Sequence, residues 1–475
     1  MADPDPRYKP GDWRAFTSMR FVTSAVVTID YIYFGTSGGV ARYDRNAQKW
    51  VDALTTAEGL PSNSVLRLAY DDLTDELFAE TPAGNSVYRR IWDEWRFVQE
   101  FPDSLVQNWR STNLLNLQLP FGYDALQPGY IRDPHLRSYR IVGDMPDTYG
   151  NEWIGTWGGF VWLHPSAMID LTPQQWGLYH DNVEAIFIDT TSIFFAGPDY
   201  YDVDGALSIY DTVASSWQYI ESHFTDGFAS DAIHRFAGEP GGRYLWMATD
   251  LGVVKYDRQK SSFRTFGRAS GLSDERVNAL CLDGDILWVG TETGVEAIYT
   301  PSDSVFSASS PDVQDASVNA IVVTDDIVWL GTNHGLFRLV KPEPTWTRFD
   351  RSDGALSRSV RALCVHGDQL YVGMDRGLGM VDLTMHKPAR VYEAADGLPD
   401  DNIFDVAVTD SIVWAATRTG LVRFVPATRE RRVIGVSDGL LSTQVQTIAV
   451  DGDYLWLGTA NGVSRFRWNN PYRID

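Results

Sequence analysis

The sequence predicts an all-β protein, a single β-propeller of about ten four-stranded blades spanning residues 1–475 as one domain. Three observations predict it. A short motif, Trp-apolar-Gly-Thr closed three residues later by Gly, recurs along the chain. From Ala248 to Gly458 its copies lie about 42 residues apart, the length of one blade. Aromatic residues are abundant, with 17 Trp, 22 Tyr and 22 Phe, and 40 Gly and 22 Pro supply turns.

The motif reads Leu287-Trp288-Val289-Gly290-Thr291-Glu292-Thr293-Gly294 in one copy, Val328-Trp329-Leu330-Gly331-Thr332 in the next and Leu455-Trp456-Leu457-Gly458-Thr459 in the last. Further copies centre on Gly35, Gly155, Ala248, Gly373 and Ala416, and looser ones on Glu80 and Ala196, which makes ten. Each unit opens on a short apolar strand such as Val277–Leu282. A two-residue turn follows, Asp283-Gly284 or Asp451-Gly452, of the kind that needs positive φ. The second strand carries the motif, whose small residue lets a neighbouring strand approach closely. A glycine turn leads to an alternating third strand, as in Val463-Ser464-Arg465-Phe466-Arg467. The fourth, as in Trp346-Thr347-Arg348-Phe349, reads as the exposed outer edge, blunted by charge. A Gly-Leu loop then enters the next unit, as in Glu58-Gly59-Leu60-Pro61, Ser270-Gly271-Leu272 and Asp396-Gly397-Leu398-Pro399. Its Leu is expected to plug the space between adjacent blades.

The ends of the chain complement each other. The last unit lacks an outer strand, whereas Trp13-Arg14-Ala15-Phe16 is an outer strand with no blade before it. We expect the N- and C-terminal strands to share one blade and close the ring, since closure removes two open sheet edges. The period breaks twice. Residues 101–134 form an inserted excursion between blades 2 and 3, rich in apolar residues and expected to be ordered. Its Phe101, Trp109, Leu115, Phe121 and Tyr123 are candidate partner-binding residues, with packing on the propeller's own side as the alternative. The second break is Pro198–Gly205.

A net charge of −23 repels phosphate backbones and anionic lipid, so neither nucleic acid nor direct membrane insertion is expected. No run of about 18 apolar residues is present. The segment Met1-Ala2-Asp3-Pro4-Asp5-Pro6 has neither a basic n-region nor an apolar h-region. A cytoplasmic protein fits this start, as does an extracytoplasmic one whose signal peptide is absent from the chain.

The strand pair Trp-x-Gly-Thr-x-x-Gly-Leu/Val, followed by Asp-Gly-Leu-Pro, resembles the two-component regulator propeller repeat over nearly the whole chain. That resemblance implies a bacterial propeller, periplasmic, secreted or at the cell surface, of the kind found in extracytoplasmic sensor domains and in stand-alone secreted proteins. The sequence departs from the sensor pattern in carrying no kinase or DNA-binding segment, so a signal would have to pass through another chain. A fold of this kind hosts many functions, and function must be argued from the site.

Candidate chemistry is sparse. Asp199, Asp202 and Asp204 ahead of Gly205 resemble a calcium loop, but no bidentate Glu follows at the required distance, and a solvated acidic hairpin explains them as well. No other cofactor is expected. Cys281 and Cys364 occupy matching places two units apart, too far for a disulfide, and read as small buried hydrophobes. The eight histidines form no metal spacing, and no nucleophile elbow, P-loop or dinucleotide fingerprint is present. The best constellation precedes the innermost strands: Asn63, Asp274, Glu275, Arg276, Arg358, Asp400, Asp401, Asn402 and Gln444. In a propeller these line one mouth of the central channel, where a hydrated rim and a polar binding site are the competing readings. The function expected is therefore non-catalytic binding of a protein, peptide or glycan. The alternative is a propeller lyase or hydrolase, acting on polysaccharide or a cyclic peptide in the channel.

Overall fold

The computed structural model describes residues 11–470 apart from 111–118, 127–128, 167–170, 199–204, 342–344, 351–355, 357, 386, 394–395, 397 and 399. Among the described residues the regular structure is antiparallel β-sheet joined by short 3-10 turns, in ten sheets. We number them in chain order by their first strands: Val22–Val27, Arg67–Asp71, Asp124–Leu126, Ala185–Ile188, Ile233–Gly238, Val277–Asp283, Val318–Thr324, Val360–His366, Ile403–Thr409 and Val445–Asp451. Nine have four strands. Sheet 3 has six, because Asp124–Leu126 and Tyr130–Arg132 of the excursion extend it beyond Ser138–Pro146. In the tenth sheet Trp13–Phe16 lies outermost, beside Gly462–Arg467, so strands from both ends of the chain share it as expected. Among the described residues no helix is long and apolar enough to cross a membrane.

The motif is explained by its contacts. The Thr hydroxyl donates to the carbonyl of the Gly three residues on, at 2.9 Å from Thr249 to Gly252 and 2.7 Å from Thr459 to Gly462. It also accepts from the amide two residues on, at 3.1 Å from Leu251 and from Asn461. One side chain thus satisfies both polar ends of the turn. The Trp indole donates back to a polar residue at the end of the first strand, Trp414 to Thr409 at 2.8 Å and Trp329 to Thr324 at 3.3 Å. The small residue is required because the next sheet's first strand lies on it. A Cβ at Gly290 would sit 2.6 Å from Val318 Cγ1, and one at Gly331 would sit 2.5 Å from Val360 Cγ1.

The core lies between successive sheets. Leu272 packs among Val253, Phe266, Val277 and Leu287, and Leu398 among Tyr371, Ile403, Val406 and Val413. The Gly-Leu loop therefore plugs adjacent sheets, its Gly59, Gly271 and Gly439 taking φ of 100°, 107° and 114°. Cys281 and Cys364 are free thiols against these inter-sheet clusters, and burial pushes both up to about 11.

The chain divides into two compact units. One runs to Asp181 and takes in Tyr210–Gln218; the other comprises Asn182–Ile209 and Tyr219–Tyr472. In the first, sheet 1 is flanked by sheets 2 and 3: Val65 N donates to Thr36 O at 2.9 Å, and Phe21 pairs with Trp157. In the second, the first strands follow one another from sheet 4 to sheet 10, and then sheet 10 meets sheet 4. Val183 N donates to Thr459 O at 3.0 Å, and Phe195 packs on Trp456 at 5.8 Å. The ten-sheet propeller class expected from the sequence is thus what the chain adopts, with one correction to its circuit. Seven sheets close on themselves, because Val183 takes over Gly458 the seat that Val318 takes over Gly290.

Candidate functional site

Each first strand of the seven-sheet circuit, in sheets 5 to 10, carries a bulge one residue after its opening Val or Ile. The bulge residues are His234, Asn278, Asn319, Arg361, Phe404 and Gln446; Glu184 holds the matching place in sheet 4. Because Val277 pairs with Thr291, the loops entering the first strands and the turns after the second strands lie at one mouth of the circuit.

Polar contacts run along this mouth across neighbouring sheets. His234 is bound to Asp250 at 2.9 Å and faces Glu184 at 3.6 Å. Arg276 lies 3.5 Å from both Asp250 and Glu292. Asn278 donates to Glu292 at 3.2 Å and to Ser317 at 3.4 Å, and Ser317 donates to Asn319 at 3.1 Å. Burial opposes a charge on His234, but the hydrogen bonds to Asp250 and Glu184 outweigh it and raise the imidazole to about 9. The same bond holds Asp250 below the usual carboxylate range.

One residue further on, sheets 4, 6, 7 and 8 have Ala185, Ala279, Ala320 and Ala362, whereas sheets 5, 9 and 10 have Arg235, Asp405 and Thr447. The three polar residues meet across the Ala185 position. Asp405 Oδ2 accepts from Thr447 Oγ1 and from Ile448 N, each at 2.9 Å. Arg235 is held only loosely, 3.9 Å from Asp405, 3.5 Å from Thr447 and 3.4 Å from the Glu184 carbonyl.

A third feature lies between sheets 8 and 9. Gly377 N donates to the Asp401 carbonyl at 2.7 Å, which brings the turn bearing Asp375 against the loop bearing Asp401 and Asn402. Asp375 Oδ1, Asp401 Oδ1 and Asn402 Oδ1 are each shielded from solvent and have no hydrogen-bond partner among the described residues. Three acceptors in that state call for donors.

The residues singled out from the sequence fall into distinct roles. Asp274 and Asp400 accept from the amides of Arg276 and Asn402 at 3.1 and 2.9 Å, and so shape their loops. Glu275 lies beside Gly267 and is half-buried. Arg358 is engaged by the Arg376 carbonyl at 2.8 Å and by Glu393. Gln444 is exposed, with its amide on Ser442. Asn63 belongs to the first unit, where it accepts from Thr56 N at 2.8 Å. Asp401, Asn402 and Arg276 are therefore the residues that lie beside other polar groups at the mouth, Arg276 exposed and the Asp401 and Asn402 Oδ1 atoms covered.

In the excursion, Trp109 packs over Gly143 and Gly155, and Tyr123 meets Trp162 edge-on at 5.0 Å. Phe101 lies under the Arg67 guanidinium at 4.7 Å, and Phe121 is fully exposed. Leu115 and the acidic group Asp199, Asp202 and Asp204 lie outside the described residues.

His234, Glu184, Asp250, Asp375, Arg235, Asp405 and Thr447 are missed by the sequence reading. A signal for the last three was present: aligned on the opening Val or Ile, they interrupt a column of alanines.

No family model matches the chain, and no curated protein does. Solved structures do. The chain is similar to PorZ, a bacterial surface component of the type-IX secretion system of Porphyromonas gingivalis, with a TM-score of 0.69 at 14% identity over 96% of this chain and 87% of PorZ. It is also similar to the extracellular domain of BT4673, a putative hybrid two component system of B. thetaiotaomicron, with a TM-score of 0.52 at 13% identity over 96% of this chain and 71% of that one. At such identities the likeness is one of fold, and it places the chain among β-propellers.

Proposed function

We propose that this chain is a non-catalytic binding propeller of the bacterial periplasm or surface, and that the mouth of its seven-sheet circuit takes a donor-rich, basic group such as an arginine or lysine side chain of a peptide. The observation that carries the reading is the trio of shielded acceptors, Asp375 Oδ1, Asp401 Oδ1 and Asn402 Oδ1, without partners among the described residues. A guanidinium that displaced the groups now covering them would offer five N–H donors, and charge-assisted bonds to carboxylates are the strong ones. An extracytoplasmic place is supported by analogy of fold, since PorZ is a surface component and the BT4673 domain is extracellular.

His234 is also unsuited to one catalytic role, that of general base. An imidazole bound by Asp250 beside Glu184 and raised to about 9 stays protonated near neutrality, which makes it a poor general base for a lyase or hydrolase.

The test is direct. A labelled tri-arginine peptide and its neutral tri-citrulline counterpart are titrated by fluorescence anisotropy. The arginine peptide should bind more tightly, and Asp375→Asn combined with Asp401→Asn should weaken it about tenfold at an unchanged melting temperature. Equal affinities for the two peptides, or an unaffected double variant, would reject the mouth as the site.

A further inference from the structure

We propose a second binding surface, on the first unit: the face made by its hairpin turns docks a protein partner that presents apolar side chains rimmed by lysine or arginine. The face is built from the turns after the first and third strands of sheets 1 and 2 and the turn between Ser138–Pro146 and Glu152–Trp157 of sheet 3. These turns carry Ile29, Leu73, Ile91, Trp92 and Tyr149, which are 82%, 95%, 80%, 63% and 59% exposed.

The five are parts of one surface. Arg90 bonds to Asp30 at 2.6 Å and to Asp75 at 2.8 Å, drawing together the turns that bear Ile29 and Leu73. Arg90 itself precedes Ile91 and Trp92 in the chain. On the other side Arg45 donates to the Ile29 carbonyl at 2.9 Å and to Thr148 Oγ1, and its guanidinium lies 4.6 Å from the Tyr149 ring centroid. Two buttressing arginines thus hold apolar turns from three sheets side by side.

The seven-sheet circuit supplies an internal comparison. Its corresponding turns in sheets 5 to 10 read Glu239-Pro240-Gly241-Gly242-Arg243, Asp283-Gly284, Asp325-Asp326, His366-Gly367, Asp410-Ser411 and Asp451-Gly452 after the first strands, with no large apolar side chain. After the first strands this place is apolar in sheets 1 and 2 and carries no large apolar side chain in sheets 5 to 10, so the hairpin does not itself demand an apolar tip there; after the third strands sheet 8 of the circuit too exposes one, Met385 at 66%. Grouped exposed apolar side chains of this size mark interaction sites. Trp and aliphatic anchors inside a polar rim are the usual make-up of a protein interface.

Charge selects the partner. Asp72 and Asp93 are exposed on these same turns, Arg90 is paired with both Asp30 and Asp75, and Arg89, over the Trp92 ring, with Glu76, which leaves Arg45 as the one of these three arginines without a carboxylate partner among the described residues. The rim is therefore acidic, on a protein whose net charge is −23. A basic, apolar protein surface complements it. A second copy of this chain or an anionic bilayer would meet repulsion.

The experiment selects phage-displayed peptides on the purified full chain and counter-selects them on the Leu73→Glu, Trp92→Glu double variant. Peptides that combine aromatic or aliphatic residues with Lys or Arg should be enriched. Their affinity should fall at least tenfold in the double variant, and in Leu73→Ala, Trp92→Ala should the charged variant fail to fold. High salt should weaken them. The proposal is overturned if no peptide distinguishes wild type from variant, or if the discriminating peptides lack basic residues. It is equally overturned if Leu73 and Trp92 mediate self-association in sedimentation or binding to phosphatidylcholine vesicles.

Discussion

The amide of Val183 donates to the carbonyl of Thr459 at 3.0 Å, and this bond joins the first and last sheets of the seven-sheet circuit. The joint is tight. A Cβ on Gly458 would sit 2.5 Å from both Val183 O and Thr447 Cγ2. Gly458→Val should therefore force the sheets apart and cost about 1–3 kcal/mol or more, the usual penalty for overpacking. Urea unfolding of the full chain would measure it. Gly452→Ala, at a turn with open space around the Cβ position but φ of 54°, should cost less. If Gly458→Val matched wild type, the circuit would not close at this residue.

Trp329 has no exposed surface and packs edge-on against Phe349 at 5.0 Å between sheets 7 and 8. Trp329→Ala should lose about 3–5 kcal/mol through lost burial and the cavity left behind. Trp92→Ala, on the exposed turn face, should change stability by less than about 0.5 kcal/mol. Thermal melts of the two variants side by side would check both values. Similar losses would mean that Trp92 packs within the fold and that the exposed turn face is not a surface.

Much of this architecture was legible in local sequence. The Thr-x-x-Gly spacing follows from one hydroxyl bridging a turn, and the Gly or Ala before it follows from the Val or Ile of the next sheet, so both recur wherever a sheet recurs. Trp13–Phe16 could be matched to the missing strand of the last unit because an outer strand has its own aromatic, charged pattern. What the repeat does not encode is which sheet closes on which. Val183-Glu184-Ala185 reads like every other first strand, and nothing near it announces that its neighbour is Thr459. The site was legible in part for the same reason. Loop residues such as Asp401 could be placed at the mouth by counting. The pairing of Arg235 with Asp405 and Thr447 needs the circuit, because it joins sheets far apart in sequence.

His234 gives the protein a pH dependence whose sign follows from its surroundings. Its folded value of about 9 lies above the ordinary 6.5, so the imidazolium is stabilised by folding. That stabilisation is fully present below about pH 6.5 and is lost as pH rises through about 9, by linkage. The loss should be of the order of 1–3 kcal/mol. Melting temperature should fall across this window in wild type and should be flatter in His234→Gln. A wild-type profile identical to that of the variant would show that Asp250 and Glu184 do not hold a charged imidazole.

Asp405 and Arg235 face each other, yet the geometry assigns them unequal work. Asp405 is mostly buried, and one of its oxygens accepts two hydrogen bonds of 2.9 Å, from Thr447 and the Ile448 amide, that tie sheet 9 to sheet 10. Removing it strands two donors at a sheet junction, so Asp405→Ala should cost about 1.5–3 kcal/mol. Arg235 makes no polar contact shorter than 3.4 Å to Asp405, Thr447 or Glu184, and its side chain keeps 30% of its surface exposed. Arg235→Ala should cost less than about 1 kcal/mol, the range of a partly solvated ion pair. A double-mutant cycle by urea unfolding would read the coupling directly, and it should be small. A large coupling would make the arginine a structural member of the wall. A small one would mean that its donors are not committed to the fold, in keeping with contacts of 3.4 Å and longer.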